Sequence, residues 1–535
     1  MNILRYPRNP TLISHNGTDS REPTQRWSLT FVIGFFLCLW TGLALAGRSV
    51  FFNDPGVFWH VRVGENTLRS GHVTTLDPFS FTPPGQKWLD THWLADVLMA
   101  IAHCIGGLDG LLQMTSLVVA WFFAIIYQRY LRQGVHPLLA LLLVGLAVSA
   151  VAYHIHPRPH LASILLQGLT WSLIVDVESG QKPRAWSWLL LPLFVLWTNL
   201  HGGVVGGIAT WIFCLAGWLA WYQCGQCSPL TSGRDASLFT GLGLLSCICV
   251  LVNPFGFQWF EPWLAVLQSP VVPQLIDEHR PLWVFPAKLI LILVLASVYI
   301  SALFGTWPVW PRVSWLIPLV WLPLAILRVR HSPLFAVTAI ISLHTMLPHV
   351  RWLSWLADRG SVVSRLDPPS PMPRSNWLFP WILPLTLTAG CLGSLQVGLQ
   401  VPVFGRGSAR LDPERWPVGL LPELQQRENH EASGTPIFNT MYFGGFLIYF
   451  TPGYRVSMDD RCELYGDERL LEYARTEDKN PAEIEDFRKR FPFDLALVQR
   501  DSSLDAYLGT SANWHKIKQD AAGVLYQRSN AQAQE

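Results

Sequence analysis

Long apolar segments alternate with short polar ones over the first three quarters of the chain. Eleven of them approach the roughly 20 apolar residues that a membrane-spanning helix needs. They run over 27–47, 111–127, 137–153, 160–177, 186–200, 204–222, 236–252, 283–304, 314–327, 332–349 and 377–399. This pattern predicts a polytopic α-helical membrane domain of about eleven spans.

One further apolar segment, 93–105, has the spacing of a helix but not the length of a span. Trp93 and Val97 begin an apolar row along one side of the helix, whereas Asp96 and His103 fall on the other side. The segment therefore predicts a helix that lies on the membrane surface. The alternative, a helix that crosses the membrane here, would invert the topology of every later span.

The basic residues favour the surface helix. With eleven spans and a cytoplasmic N-terminus, the inner loops contain most of the loop arginines and lysines, as cytoplasmic loops do. These loops are 128–136, 178–185, 223–235, 305–313 and 350–376. Residues 1–26 are then a cytoplasmic tail, and 48–110 is a large outer loop that follows the first span.

The charged residues divide the chain into two domains. Only 14% of all residues are charged, against about 25% in soluble proteins. Nearly half of these charges lie in the last quarter of the chain. We therefore predict a multi-span membrane domain over 27–401 and a soluble domain over 402–535 on the outer face. No basic tract indicates a nucleic-acid partner.

The soluble domain has the pattern of an α/β or α+β fold. A helix is expected over 481–491, which opens with a proline in its first turn. Short apolar runs between turn residues predict strands. These runs are 437–439, 446–450, 454–458, 494–499 and 524–527.

Ionisable side chains collect at the ends of the spans that are expected outside. Such groups near a membrane are costly and indicate function. The candidate catalytic residues are Asp54 and His60. The candidate substrate-binding residues are Asp77, His92, His156, Arg158, His201, Glu278, Arg280, Arg328 and Arg330. Their one-sided distribution predicts an active site on the outer face.

Asp54 follows the first span by about seven residues. A carboxylate in this place can act as a general base toward an acceptor hydroxyl. It can also serve as a helix cap, because Pro55 follows it. For the arginines, the alternatives are recognition of a substrate phosphate and ordinary binding of lipid headgroups.

No cofactor is certain from the sequence, and a divalent metal is a candidate. Asp90, His92 and Asp96 lie close together in the sequence. Their side chains have the chemistry of a second acidic or metal-binding group. A solvated polar helix face is the other interpretation, and the sequence favours it over a metal-binding group.

Five motifs resemble those of a bacterial branch of the GT-C superfamily of membrane glycosyltransferases. They are Asn53-Asp54-Pro-Gly-Val-Phe-Trp59-His60, Asp77-Pro-Phe-Ser80, Thr91-His-Trp-Leu94, Asn199-Leu-His-Gly-Gly203 and Gly444-Gly445-Phe. The predicted order of spans, outer loop and C-terminal domain also resembles that superfamily. It includes the protein O-mannosyltransferases, the aminoarabinose transferases and the lipopolysaccharide-sugar transferases.

This resemblance implies a polyprenyl-phosphate-linked sugar donor and a lipid, glycan or protein acceptor. Asp54 would match the first-loop catalytic carboxylate, and outer arginines would hold the lipid phosphate. The protein would lie in the bacterial plasma membrane with its C-terminal domain outside, among membrane lipids. The alternatives are a lipid or solute transporter, which repeats and mid-span charges would favour, and a non-catalytic envelope scaffold.

Overall fold

The computed structural model describes residues 22–82, 84–358 and 381–529. The predicted tail 1–26 lies mostly outside these residues, as do parts of the loop 350–376 and of the last predicted span. The helices before the C-terminal domain are α1 (Glu22–Val50), α2 (Gly56–Ser70), α3 (Trp93–Gly106), α4 (Leu108–Arg132), α5 (Pro137–Val151), α6 (His160–Glu178), α7 (Leu190–Leu200), α8 (Val204–Gln223), α9 (Gly233–Ile248), α10 (Phe260–Gln268), α11 (Val272–Leu275), α12 (Pro286–Gly305), α13 (Val313–Leu316), α14 (Pro318–Leu327), α15 (Ser332–Met346), α16 (Arg351–Asp358) and α17 (Ile382–Gln396).

Seven helices in the described part of the chain are long and apolar enough to cross a membrane. They are Thr30–Val50, Leu108–Arg132, Pro137–His154, His160–Glu178, Val204–Gln223, Gly233–Leu251 and Pro286–Gly305. The other four predicted spans are also helical, but their helices are shorter or begin as 3-10 turns. The polytopic helical fold is therefore confirmed, and the number of spans stays a prediction.

The segment 93–105 forms a helix, α3, which packs against α2 and α4. Two glycines allow this close packing. A Cβ atom at Gly64 of α2 would collide with the backbone carbonyl of Asp96, and one at Gly110 of α4 with that of Ala102. Helix α3 thus joins the outer loop to the bundle, and its position relative to the membrane surface stays a prediction.

The C-terminal domain contains one mixed five-stranded sheet, in the order β2-β1-β3-β5-β4. The two pairings of β1 are parallel, and the two pairings of β5 are antiparallel. Its elements are α18 (Leu421–Glu428), β1 (Thr435–Asn439), α19 (Met441–Phe450), β2 (Tyr454–Val456), α20 (Cys462–Ala474), α21 (Glu483–Arg490), β3 (Leu495–Gln499), α22 (Ser503–Thr510), β4 (Trp514–Gln519) and β5 (Gly523–Arg528). The predicted helix over 481–491 is confirmed as α21.

The strand predicted over 446–450 is wrong, because these residues form the second half of α19. A short apolar run has no period that separates a buried helix from a strand. Tertiary packing decides here. A Cβ atom at Gly445 would collide with the backbone carbonyl of Pro55, and one at Gly444 with that of Met458. The two glycines therefore let α19 pack directly against the start of α2.

The loop between α2 and α3, which is predicted to lie on the outer face, continues the sheet of the C-terminal domain. The N–H of Phe81 donates to the Val456 carbonyl at 3.0 Å, and the N–H of Val456 donates to the Phe79 carbonyl at 3.0 Å. Ser80 and Tyr465 share a side-chain hydrogen bond of 2.9 Å. The loop thus pairs with the edge strand β2, which covers an otherwise open edge.

A fully buried arginine completes this junction. Arg461 Nη1 lies 2.9 Å from Asp77 Oδ1, and its Nη2 lies 2.6 Å from Asp459 Oδ2. The guanidinium also lies 4.7 Å from the ring centre of Trp88. Two carboxylates, one from the loop and one from the domain, therefore share one cation without contact with water.

Candidate active site

Asp54 lies in the turn between α1 and α2, and its carboxylate has two partners. The N–H of Gly56, the first residue of α2, donates to its Oδ1 at 2.8 Å. Arg158 Nη1 donates to both carboxylate oxygens at 2.9 Å. The first contact agrees with the helix-cap interpretation. The second brings together the predicted base and a predicted phosphate ligand.

Arg158 comes from the loop between α5 and α6, and the C-terminal domain supplies its second carboxylate. Arg158 Nη2 lies 3.3 Å from Asp460 Oδ2, and the Trp59 indole N–H donates to Asp460 Oδ1 at 2.7 Å. Burial raises the pKa of Asp460 to about 7, against the opposing charge of Arg158. A Cβ atom at Gly56 would come within 2.6 Å of the guanidinium carbon, so this glycine makes room for Arg158.

His60 lies in α2, six residues after Asp54, and Asp96 of α3 holds its ring. His60 Nδ1 and Asp96 Oδ1 are 2.7 Å apart, and both side chains are buried. Burial lowers the pKa of His60. Its imidazole is therefore neutral near pH 7 and can donate or accept a hydrogen bond.

Asp90 and Asp96 form a buried carboxyl pair behind His60. Both are 0% exposed, so the interpretation of this segment as a solvated polar face is wrong. Each has one carboxyl oxygen without a hydrogen-bond partner. Burial raises the pKa of Asp90 to about 7, and burial together with the neighbouring Asp90 raises the pKa of Asp96. Near neutral pH the pair therefore keeps at least one proton, as buried neighbouring carboxyl groups do.

Two more histidines continue from His60. The ring centres of His60 and His92 are 5.9 Å apart, and those of His92 and His201 are 5.3 Å apart. His201 Nδ1 accepts hydrogen bonds from the Gly203 N–H at 3.0 Å and from Ser163 Oγ at 2.7 Å. Its proton is therefore on Nε2. Burial lowers the pKa of His92 to about 4 and that of His201 as well, so this row consists of neutral hydrogen-bonding groups.

Glu278 and Arg330 both lie close enough to Arg158 to interact with its charge. Burial alone would raise the pKa of Glu278, but the positive groups around it, including Arg158 and Arg330, lower it. Arg330 Nη1 also lies 2.6 Å from His279 Nε2. The site thus contains two partly buried guanidinium groups, which can both interact with an anionic substrate.

Three side chains beside Arg158 have the geometry of a metal site. The ligand atoms of His154, His160 and Glu278 lie within 4.8 Å of one another. His160 Nε2 donates to the His154 carbonyl at 2.9 Å, and His154 Nε2 donates to the Val329 carbonyl at 3.3 Å. Both rings therefore keep an Nδ1 lone pair for a metal. Two oriented imidazoles and one carboxylate fit Zn²⁺ with an open coordination position.

We expect the purified protein to bind zinc, and Glu278→Gln to weaken this binding by about 100-fold, because the amide removes the one anionic ligand. Metal content after dialysis, measured by mass spectrometry, tests this. His72→Gln is the control, because His72 is exposed. Equal zinc content in both variants and the wild type would show that these three residues do not hold the metal.

The remaining predicted residues have other surroundings. Asp77 is the partner of Arg461 at the domain junction. His156 Nε2 donates to the Tyr153 carbonyl at 3.0 Å, and its ring centre is 6.4 Å from that of His160. Arg280 is partly exposed and pairs with Asp277 at 3.1 Å. Arg328 begins the turn that leads to Arg330.

The predicted catalytic and substrate-binding residues do not include Asp460, His154 or His160, and Asp96 was considered only as part of a candidate metal-binding group. Asp460 belongs to three consecutive charged residues that begin three positions after the end of β2, which was a usable signal for a functional strand end. For Asp96, the helical position favoured a solvated face over a metal-binding group. Only the packing of α3 against α2 and α4 buries it.

Comparison with known proteins gives matches by structure alone. No protein-family model matches the sequence, and no curated protein matches it. ArnT from Cupriavidus metallidurans bound to undecaprenyl phosphate is similar with a TM-score of 0.51 and 15% identity, over 95% of this chain and 99% of that one.

Two further solved structures are similar. The Archaeoglobus fulgidus oligosaccharyltransferase complex with Zn and sulfate has a TM-score of 0.49 and 10% identity, over 88% of this chain and 68% of that one. The mycobacterial arabinofuranosyltransferase AftD has a TM-score of 0.47 and 13% identity, over 95% of this chain and 42% of that one. The likeness to ArnT shows that this chain shares the fold of that solved structure.

Proposed function

We propose that the protein is an integral membrane glycosyltransferase. It transfers a sugar from a polyprenyl-phosphate-linked donor to a lipid, glycan or protein acceptor on the outer membrane face. The observation that carries this proposal is the partly buried ion pair between Asp54 and Arg158, in which Arg158 Nη1 lies 2.9 Å from both carboxylate oxygens. It joins a carboxylate to a phosphate-binding side chain where the membrane domain meets the C-terminal domain.

In the proposed reaction, an acceptor hydroxyl attacks the anomeric carbon of the donor sugar. Its proton passes to Asp54, and a new bond forms between the acceptor oxygen and the anomeric carbon. The bond from that carbon to the phosphate oxygen breaks, and the polyprenyl phosphate leaves with the electron pair. Arg158 and Arg330 stabilise the charge that develops on the leaving phosphate.

The neutral imidazoles of His60, His92 and His201 suit the hydroxyl groups of a sugar, because each can donate and accept a hydrogen bond. Asp77 acts on the site indirectly, through the Arg461 ion pair that holds the outer loop. A divalent cation on His154, His160 and Glu278 would supply a Lewis acid for phosphate oxygens.

The direct test is donor cleavage by the purified protein in liposomes. Synthetic polyprenyl phosphates that carry different sugars are supplied with an envelope extract as the source of acceptors, and the released polyprenyl phosphate is measured. We expect polyprenyl phosphate to be released from at least one donor, and only when the extract is present. Movement of an intact donor across the bilayer without cleavage would favour a transporter and contradict the proposal.

A further inference from the structure

The C-terminal domain adds a residue to the site that the proposed reaction does not use. We infer that Asp460 is a positioning residue that holds Arg158 in the substrate-free protein and releases it to the phosphate of the polyprenyl donor. This inference rests on the proposed function, because it assigns that phosphate to Arg158. Because the C-terminal domain carries Asp460, the position of this domain then affects substrate binding.

The distances indicate which carboxylate gives way. Arg158 Nη1 lies 2.9 Å from both oxygens of Asp54, whereas Nη2 lies 3.3 Å from Asp460. Asp54 has a further anchor in the Gly56 N–H, at 2.8 Å. Asp460 therefore makes the longer contact with the guanidinium. A phosphate oxygen can replace the Asp460 carboxylate at Arg158 Nη2.

The charge balance gives the reason for the exchange. Two carboxylates already surround one guanidinium, and the side chains of Arg158 and Asp460 are only 21% and 12% exposed. A phosphate would add at least one negative charge to this largely shielded group, and an uncompensated charge with little access to water is costly. One carboxylate therefore has to move away or take up a proton.

Asp460 is the carboxylate that is able to do so. The Trp59 indole donates to its Oδ1 at 2.7 Å, and a protonated carboxyl group can still accept that hydrogen bond. The groups that face Asp460 are Arg158, Asp54, Asp459 and the Cys462 thiol. Asp459 is itself paired with Arg461. Burial raises the pKa of Asp460 to about 7, so a proton is available near neutral pH.

Phosphate binding should then be coupled to proton uptake by Asp460. The donor binds best where Asp460 is protonated, below about pH 7. Its affinity falls as the pH rises, because the ionised carboxylate keeps its place on Arg158. For one coupled proton, the loss between pH 6 and pH 8 is about tenfold.

Binding of undecaprenyl phosphate to the detergent-solubilised full chain tests the inference at pH 6, 7 and 8. Asp460→Asn keeps the side-chain shape and an acceptor for Trp59, but it cannot be ionised. We expect it to bind about tenfold more tightly than the wild type at pH 8 and equally at pH 6. Ionisation of the lipid phosphate itself is common to all variants, so the difference between variants isolates Asp460.

Glu463→Gln is the matched control. Glu463 accepts a hydrogen bond from the Trp88 indole at 3.1 Å, as Asp460 does from Trp59, but Arg158 makes its contact with Asp460 instead. Its pH profile should follow the wild type. Asp460→Glu keeps a carboxylate, so its affinity for the lipid should still fall as the pH rises. This variant serves as the test if Asp460→Asn does not fold.

Two results would overturn the inference, and they differ in what they leave standing. Equal affinities and parallel pH profiles for Asp460→Asn and the wild type would remove the role of Asp460 but leave the proposed function intact. If neither protein binds the lipid at any pH, Arg158 is not the ligand of a polyprenyl phosphate. The donor assigned in the proposed function would then be wrong as well.

Discussion

Asp54→Asn should lower sugar transfer by a factor of about 10²–10⁴, the range that a positioned general base contributes. The amide has the shape of the carboxylate and can still accept the Gly56 N–H, so the turn into α2 is kept. It cannot take the proton of an acceptor hydroxyl. The rate of donor cleavage with saturating donor is the measurement, and we expect kcat to fall more than KM rises.

Asp277→Asn is the control for this variant. The side chain of Asp277 is 66% exposed and pairs with Arg280 rather than with Arg158, so the same chemical change should leave transfer within about twofold of the wild type. Normal sugar transfer by Asp54→Asn would show that another residue is the general base. Loss of transfer together with loss of expression would be a folding defect, which the amount of purified protein reveals.

Arg461→Met should destabilise the junction between the outer loop and the C-terminal domain by about 3–5 kcal/mol, because it leaves two buried carboxylates without their cation. The arginine side chain is 0% exposed, and its partners Asp77 and Asp459 are 1% and 0% exposed. Thermal unfolding of the purified protein measures the loss. Faster protease cleavage in the loop 71–92 should accompany it, since this loop would separate from β2.

Arg500→Met is the comparison for this change. Arg500 pairs at 3.5 Å with Asp501, and the two side chains are 43% and 85% exposed, so its loss should cost no more than about 0.5 kcal/mol. Equal stability of the Arg461 and Arg500 variants would show that the buried ion pairs do not hold the domains together.

The pH dependence of the junction has a definite sign. Burial alone would raise the pKa of Asp77, but Arg461 and the hydrogen bonds from Ser80 and Phe79 hold it below its usual value. The ionised carboxylate therefore stabilises the fold above about pH 4, and this contribution is lost as the pH falls through the lowered pKa. In Arg461→Met the arginine no longer lowers the pKa of Asp77. The part of the stability that depends on this ion pair should therefore no longer be lost in acid.

The helical membrane domain was predictable from the sequence because its cause is local. An apolar segment in lipid has to satisfy its backbone hydrogen bonds within itself, whatever its neighbours are. Each of the eleven predicted spans is accordingly helical where the structure describes it. The same argument selected Asp54, His60 and Arg158, since ionisable groups at the ends of such segments stand out against an apolar background.

The tertiary structure alone decided which of these groups meet. Asp460 lies about 300 positions after Arg158 in the chain, and no local pattern connects a strand end of a soluble domain with a loop between two spans. Asp96 was ambiguous for the same reason, because a polar helical position is solvated or buried according to what packs on it. Contacts between distant segments depend on packing and on charge compensation in a buried site, and neither can be read from a one-dimensional pattern.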